Sequence, residues 1–471
     1  MSDWKEYKLH EIVEITSSKR IMRSEYQEDG IPFFRSKEII ELNSGNEITT
    51  ELFISKERFL EIKNKFGTPS YGDILLTSVG TLGVPYFVNY KEEFYFKDGN
   101  LTWFRKFNNI LRSKYLYYWF SSPVGRKALK EITIGSTQPA LTITGLKSLT
   151  IHLPTLEEQD YIIEILDHLS SKIQLNTQIN QTLEQIAQAL FKSWFVDFDP
   201  VRAKVQALSD GLSLEQAELA AMQAISGKTP EELTALSQAQ PDRYAELAET
   251  AKAFPCEMVE VDGVEVPKGW KCFSLKELSS AISKGTTPKK SSLNSCDSKG
   301  TVPFIKVKDI SESGQILINQ LEQIPEKISS TELKRSILHK NDILISIAGT
   351  IGRVAIVPNE LENANTNQAL SFIRLYNDNL VGIISTFLKS RKNQEDITSK
   401  VIQGVQANIS LEVVRNIKIF LPINFDHKAI LIFNSLLNKQ LISQKENLLI
   451  EKSRDLLLPK LLSGDFSNGK N

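Results

Sequence analysis

The chain carries its own sequence twice. Segments of the first half return in order in the second, at a spacing near 268 residues. WKEYKL, from Trp4 to Leu9, comes back as WKCFSL, from Trp270 to Leu275. IPFFRSKEI (31–39) returns as VPFIKVKDI (302–310), and YGDILLTSVGTLG (71–83) as KNDILISIAGTIG (340–352). GSTQPALT (135–142) returns as QGVQANIS (403–410). Each copy then reaches a Leu-Pro pair, Leu153-Pro154 and Leu421-Pro422, and later an Asp-Phe pair, Asp197-Phe198 and Asp465-Phe466. The spacing drifts between 266 and 271 early, as loop insertions would make it, and holds at 268 from GSTQPALT onward. A repeat this long makes the chain two copies of one domain-sized unit.

Local chemistry reads each copy as mixed α/β. DILLTSVGTLG and DILISIAGTIG are short apolar runs rich in β-branched residues and ended by Gly-Thr turns, which is strand chemistry. KYLYYWFSS (114–122) and IISTFLKSR (383–391) read as helices at matching places. Between and after the copies the pattern changes. No Gly or Pro interrupts Leu156 to Phe195, and apolar residues recur at Ile162, Leu166, Leu169 and Ile173, then Ile179, Leu183, Ile186 and Leu190. The second copy answers with Phe433, Leu437, Leu441 and Leu448. These are coiled-coil-like stripes, each preceded by a proline, where a helix start tolerates one. A 40-residue helix would be roughly 60 Å long. A lone amphipathic helix must bury its stripe, and the partner expected is the other copy, packed antiparallel. Asn176 and Gln444 interrupt the two stripes at equivalent positions; they are either a buried pair that fixes register or two solvent-facing amides.

The expected fold class is therefore α+β: two repeated mixed α/β domains separated by two long antiparallel coiled-coil-like helices. The boundaries expected are domain 1 at 1–153, a central helix at 154–198, an acidic helical connector at 199–265, domain 2 at 266–421 and a distal helix at 422–471.

The formal charge of −1 hides a strong segregation. Residues 1–150 carry +3, 151–265 carry −13, 266–424 carry +7 and 425–471 carry +2. Only the outer units suit a phosphate backbone. The acidic middle, with SLEQAELAAMQAI and PEELTALSQAQ, reads as short solvated helices, a partner contact or a linker. No apolar run is long enough to span a bilayer, and the N-terminus lacks a secretion-signal layout, so a cytoplasmic location is expected. Cys256, Cys272 and Cys296 have neither disulfide nor metal spacing.

Catalytic signatures fail together. The sequence has no G-x-G and no Pro-Pro pair, so neither the cofactor turn nor the base clamp of an amino-methyltransferase is present. Gly227-Lys228-Thr229 resembles the end of a phosphate loop, but Met222 stands where its glycine is required. The five histidines are scattered without metal spacing. Binding is the class these residues support.

The layout resembles the specificity subunits of type I restriction–modification systems, over essentially the whole chain. QALFKSWFVDFDPVRAK (188–204) is similar to their central conserved region, RDLLLPKLLSGDF (454–466) to the distal one, and SKGTTPKK (283–290) with VPFIKVKDI to the opening of a recognition domain. ITSSKRIMRSEY (15–26) lacks the Gly-Thr-Pro turn and departs from that pattern. The resemblance implies a non-catalytic subunit that reads one half of a split target in duplex DNA with each domain. It implies two modification subunits docked on the helices and restriction subunits joining them. S-adenosylmethionine, ATP and magnesium would be held by those partners, and no cofactor by this chain. The residues expected to dock partners are Ile162, Leu166, Leu169, Ile179, Leu183, Phe433, Leu437 and Leu441.

DNA contacts are expected from basic and hydroxyl residues in loops. In domain 1 these are Lys19, Arg20 and Arg23, with Arg35, Ser36 and Lys37 after the IPFF strand. In domain 2 they are Lys284, Thr286, Thr287, Lys289 and Lys290, with Lys306 and Lys308 alternating on one strand face. The repeated Gln138 and Gln406, and Thr142 and Ser410, read as framework groups. The alternative function is a stand-alone two-domain DNA-binding regulator; a protein-binding coiled-coil scaffold and a fused restriction enzyme are the remaining rivals.

Overall fold

The computed structural model describes residues 4–43, 48, 52–135, 139–261, 263–294, 300–401 and 408–462. Gln138, Gln406, Cys296 and the Asp465-Phe466 pair lie outside them. The chain divides into two compact units, Met1–Asn176 with Glu446–Asn471, and Thr177–Lys445.

Among the described residues the first unit holds nine strands: β1 (Lys5–Lys8), β2 (Glu14–Thr16), β3 (Ile31–Phe34), β4 (Phe53–Ile54), β5 (Ile74–Thr77), β6 (Pro85–Phe87), β7 (Tyr95–Phe96), β8 (Leu101–Arg105) and β9 (Thr150–Leu153). They form an antiparallel sheet in the order β2-β8-β5-β6, a small sheet β4-β3-β7 whose β3 and β7 run parallel, and the pair β1-β9. The second unit opens with a hairpin, β10 (Met258–Val261) and β11 (Val264–Pro267). Among the described residues nine further strands follow: β12 (Trp270–Ser274), β13 (Ser279–Lys284), β14 (Val302–Ile305), β15 (Glu322–Ile324), β16 (Ile343–Ser346), β17 (Val354–Ile356), β18 (Asn365–Thr366), β19 (Leu370–Leu375) and β20 (Lys418–Pro422). Their orders are β13-β19-β16-β17, β15-β14-β18 with β14 and β18 parallel, and β12-β20. Strand for strand, the sequence repeat is a repeat of topology.

The DILL and DILI runs explain the layering. All four residues of β5 and of β16 are buried, so the strand is covered on both faces and shows no polar alternation. Successive side chains point to opposite faces. Ile74 and Leu76 accordingly enter one core, and Leu75 another. Ile343 and Ile345 are likewise separated from Leu344. The turn after each strand repeats too. Thr77 Oγ1 accepts the Val84 N–H at 2.9 Å and Ser346 Oγ accepts the Arg353 N–H at 2.8 Å. Gly83 and Gly352 in these turns have φ of +75° and +90°, a region open to glycine and costly to other residues. Thr142 and Ser410 each cap a short helix, accepting the N–H of Gly145 and of Val413. The framework reading fits this pair.

Two long helices run from Leu156 to Phe191 and from Lys428 to Leu462. In the second unit they lie antiparallel: Glu184 meets Gln440, and Phe191 meets Phe433 with ring centroids 6.4 Å apart. In the first unit Asn176 is buried and donates to Asn447 Oδ1 and to Glu446 Oε2, both at 2.8 Å. The buried polar register point therefore exists, but its partner is Asn447 rather than Gln444. Offset in the repeat gave the equivalent residue, whereas antiparallel packing decides which residue faces it.

The acidic segment is more than a solvated linker. Its four helices, Asp199–Ser209, Leu214–Ser226, Pro230–Ala239 and Pro241–Ala253, bury Ala221, Met222, Leu233 and Ala251 among themselves. Lys204, 1% exposed, donates to the Phe254 carbonyl at 2.7 Å. The first long helix ends in a π turn at Lys192–Val196, and its aromatics join the second unit's core. Phe195 and Phe198 pack on Trp270 with centroids 5.0 and 5.7 Å apart.

Candidate nucleic-acid interface

In the first unit the predicted basic residues gather around one parallel strand pair. The loop after β2 is tied down where the Lys19 N–H donates to the Tyr95 hydroxyl of β7 at 2.7 Å. The Lys19 ammonium sits 4.4 Å from the centre of the Phe66 ring. Arg20 pairs with Asp98, just beyond β7, at 3.0 Å. Because β3 runs parallel to β7, with the Lys97 N–H donating to the Phe34 carbonyl, Arg35 emerges beside the same segment. Lys97 was missed in the sequence, since nothing local reveals that β3 and β7 pair. Arg35 is committed to structure. It meets the fully buried Glu38 at 2.7 Å. Burial pushes the Glu38 carboxyl up, yet Arg35 and the accepted backbone N–H groups outweigh it and hold the pKa below the ordinary value. Lys37 lies 3.6 Å from Glu41, and the Ser36 hydroxyl is buried without a hydrogen-bond partner. Arg23 has no carboxylate in reach among the described residues.

The second unit builds the same place differently. Lys284 ends β13, and Gly285 follows it against β18: a Cβ there would fall 2.2 Å from the Thr366 carbonyl oxygen. Only glycine lets the loop lie that close. The Thr286 N–H donates to the Thr366 carbonyl, Thr287 bonds Gln368, and the Lys289 N–H donates to Glu332 at 3.0 Å. Lys306 and Lys308 do not alternate along a strand. β14 stops at Ile305, and a short turn over Val307–Asp309 begins where Asp309 accepts the Lys306 N–H. Both lysines reach Glu322, which they hold below the ordinary carboxylate range. Among the described residues Lys284 and Lys290 have no carboxylate partner. A cation free of a carboxylate offers its full charge to a phosphate, while a paired one must first give up its partner. Arg23, Lys284 and Lys290 are therefore the strongest of the predicted cations.

The residues expected to dock partners divide sharply. Ile162 and Leu166 are buried in the first unit's core, and Phe433 in the second's. They cannot meet a partner, because the chain keeps its most apolar stripe for itself. Leu169, Leu183, Leu437 and Leu441 are half-buried, and only Ile179 stands exposed. The outward residues are Leu175, Ile179 and Ile186 on the first helix and Ile442, Leu449 and Leu456 on the second. Their spacings of four and seven residues put each set on one helix face. That second, weaker periodicity was the signal available in the sequence.

Among the described residues no group of three or more His, Cys, Asp or Glu could hold a metal ion, and no helix is long and apolar enough to cross a membrane.

A family model described as the type I restriction modification DNA specificity domain matches the chain twice, at residues 1–185 and 267–452. The chain is 39% identical over 490 residues to the type I restriction enzyme HindI specificity subunit of Haemophilus influenzae, covering 99% of this chain and 100% of that protein. It is 25% identical over 483 residues to the MjaIX specificity subunit of Methanocaldococcus jannaschii, covering 98% and 94%. Among solved structures, the type I restriction–modification S subunit of M. genitalium covers 98% of this chain and 96% of its own at 16% identity, with a TM-score of 0.48.

Proposed function

We propose a two-reader mode of action for this chain, which belongs to the family of type I restriction–modification DNA specificity subunits. In that family the specificity subunit determines which DNA target is recognised, and the catalytic activities reside in the modification and restriction subunits. The observation that carries the mechanism is the duplication itself: two units with one strand order and one loop cluster beside a parallel strand pair. Each unit reads one block of a split target in duplex DNA, through Arg23 and Lys19 in the first and through the 284–290 loop in the second. The two frameworks are alike and the loops differ, as two readers of different blocks require.

The partners proposed are two modification subunits and the restriction subunits that join them. S-adenosylmethionine, ATP and magnesium are assigned to those partners and none to this chain. Docking is assigned to the outward helix residues Leu175, Ile179, Ile186, Ile442, Leu449 and Leu456. A cytoplasmic location is proposed for the complex.

Selection from a random duplex library, with and without the cognate modification subunit, tests this reading. Two short enriched blocks at a fixed unread gap, strengthened by the partner, are expected. A single continuous motif bound equally well alone would instead mark a stand-alone regulator. No enrichment under either condition would leave a scaffold.

A further inference from the structure

The duplication supplies an internal control for a feature that the reading of DNA leaves unused. In the first unit the GTLG turn, the helices Ser113–Ser121 and Pro123–Glu131 and the end of the second long helix enclose a cleft of about 860 Å³. The same elements of the repeat, the GTIG turn, the helices Val381–Lys389 and Arg391–Ser399 and the end of the first long helix, enclose about 430 Å³. The framework is shared, so the difference lies in the side chains.

In the second unit side chains tie across the space and narrow it. Gln394 donates to the Gly352 carbonyl of the turn at 3.0 Å, and Lys389 pairs with Glu184 at 2.9 Å. Two carboxylates, Glu184 and Glu312, balance two cations, Arg353 and Lys389. In the first unit Arg126 stands where Gln394 does, and Ser121 where Lys389 does. The Arg126 guanidinium turns back to the Ser121 carbonyl, at 2.6 and 3.0 Å, and leaves the turn uncovered. The charged side chains lining this cleft are Arg126, Lys130 and Arg454, with no carboxylate among the lining residues. Asp455 lies 3.0 Å from Arg454 and offsets one of the three charges. The walls between them mix apolar and aromatic groups, Leu82, Val84, Pro85 and Tyr117, with the polar side chains of Asn43, Thr133 and Ser170.

We propose that this cleft of the first unit binds a nucleoside monophosphate, with the phosphate against Arg126 and Lys130 and the base on the apolar wall beside Tyr117. Its size suits a small organic ligand, for which roughly 300–1,000 Å³ is usual. A net lining charge near +2 matches a phosphate monoester, which carries about −1.5 to −2 at neutral pH. Guanidinium and ammonium donors make charge-assisted bonds to phosphate oxygens. An inorganic ion alone would leave the apolar wall empty, so the ligand carries a flat body as well.

The repeat also furnishes the mutations. Arg126→Gln with Lys130→Thr installs the second unit's own Gln394 and Thr398, which the shared helices already accommodate. The experiment is calorimetric titration of the full chain, with its modification subunit where needed for solubility. The probes are adenosine and thymidine 5′-monophosphates, the free nucleosides and inorganic phosphate. One site per chain is expected. Nucleoside and phosphate each bind at least about tenfold more weakly than the monophosphate, and the double variant loses about a hundredfold, tenfold for each charge-assisted contact. Lys130→Thr alone, at an exposed position, reads the same effect at about tenfold if the double variant does not fold. No binding of either monophosphate, equal binding of inorganic phosphate, or unchanged binding by both variants would overturn the assignment. So would heat from duplex DNA at this cleft with none from the monophosphates. Because the readers lie elsewhere in the unit's loops, target selection is expected to be unaltered in the variants, and failure here leaves the two-reader mechanism standing.

Discussion

Equivalent residues in the two copies have been put to different uses. Asp342, buried in the second unit, receives two bonds from Arg374, at 2.7 and 2.8 Å. Its counterpart Asp73 accepts the indole N–H of Trp103 at 2.9 Å instead, while Arg105 turns to Glu14. Burial pushes the Asp73 carboxyl up. Arg374→Met would strand a buried carboxylate, and about 3 kcal/mol of stability should be lost in denaturant unfolding; a change within error would show Asp342 to be solvated. A second residue sets a pH response. His427 accepts the Ala429 N–H on Nδ1 and holds the Ala253 carbonyl through Nε2. Burial lowers its pKa below the ordinary 6.5, and protonation of Nδ1 would remove the acceptor at a helix start, where positive charge is disfavoured. The neighbouring Lys428 and Glu249 pair with each other. A depressed histidine pKa contributes stability that is complete above 6.5 and lost as pH falls through the folded-state value. The melting temperature should therefore drop on acidification below 6.5, and the drop should shrink in His427→Asn, which keeps an acceptor. An identical profile in that variant would dismiss His427 as the source.

The long helices show what a stripe can and cannot say at the scale of an element. Their strongest apolar positions are interior, and the register in the first unit is pinned by polar groups. Asn447 also donates to the Ile173 carbonyl at 3.2 Å, and Lys172 meets Glu446 at 3.2 Å. Asn176→Leu leaves Asn447 short of a partner in a buried setting, a cost of about 1–3 kcal/mol. Adding Asn447→Leu should restore part of it, because two apolar groups replace two paired ones. Additive losses in that double-mutant cycle would mean that the two amides do not act as a pair. The outward stripe predicts the opposite behaviour. Leu449→Glu and Ile442→Glu should leave melting temperature unchanged within error, since both side chains are exposed, and weaken capture of the modification subunit by about tenfold or more in a pull-down titration. Undiminished capture would move the docking surface elsewhere.

Across the whole molecule, two copies of one fold make the readers separable. Lys284→Glu with Lys290→Glu acts on the second unit's loop alone. The library selection should then lose or change one enriched block while the other survives. Loss of both blocks would show that the readers are not independent. Much of this organisation was legible in advance. The repeat announced two like units, the Gly-free and Pro-free stretches announced the long helices, and the DILL and DILI runs announced their central strands, because each signal is local or is a comparison of the sequence with itself. Lys306 and Lys308 were misplaced because a four-residue strand and a turn opened by Asp309 share the composition of one longer strand. Ile162, Leu166 and Phe433 were misassigned to a partner because apolar periodicity marks a buried face without saying what buries it.

The sequence by itself determined the duplication, the charge segregation and the class of fold, since these rest on repetition, composition and hydrophobic period. Tertiary structure alone decided which cations are free and which are spent on Glu38, Glu322 or Asp98. It also decided that Asn176 faces Asn447, and that one cleft is about 860 Å³ where its repeat is about 430 Å³. Each of these depends on which distant segments lie side by side, and the energies that choose among such pairings are sums over contacts that no local pattern of residues records.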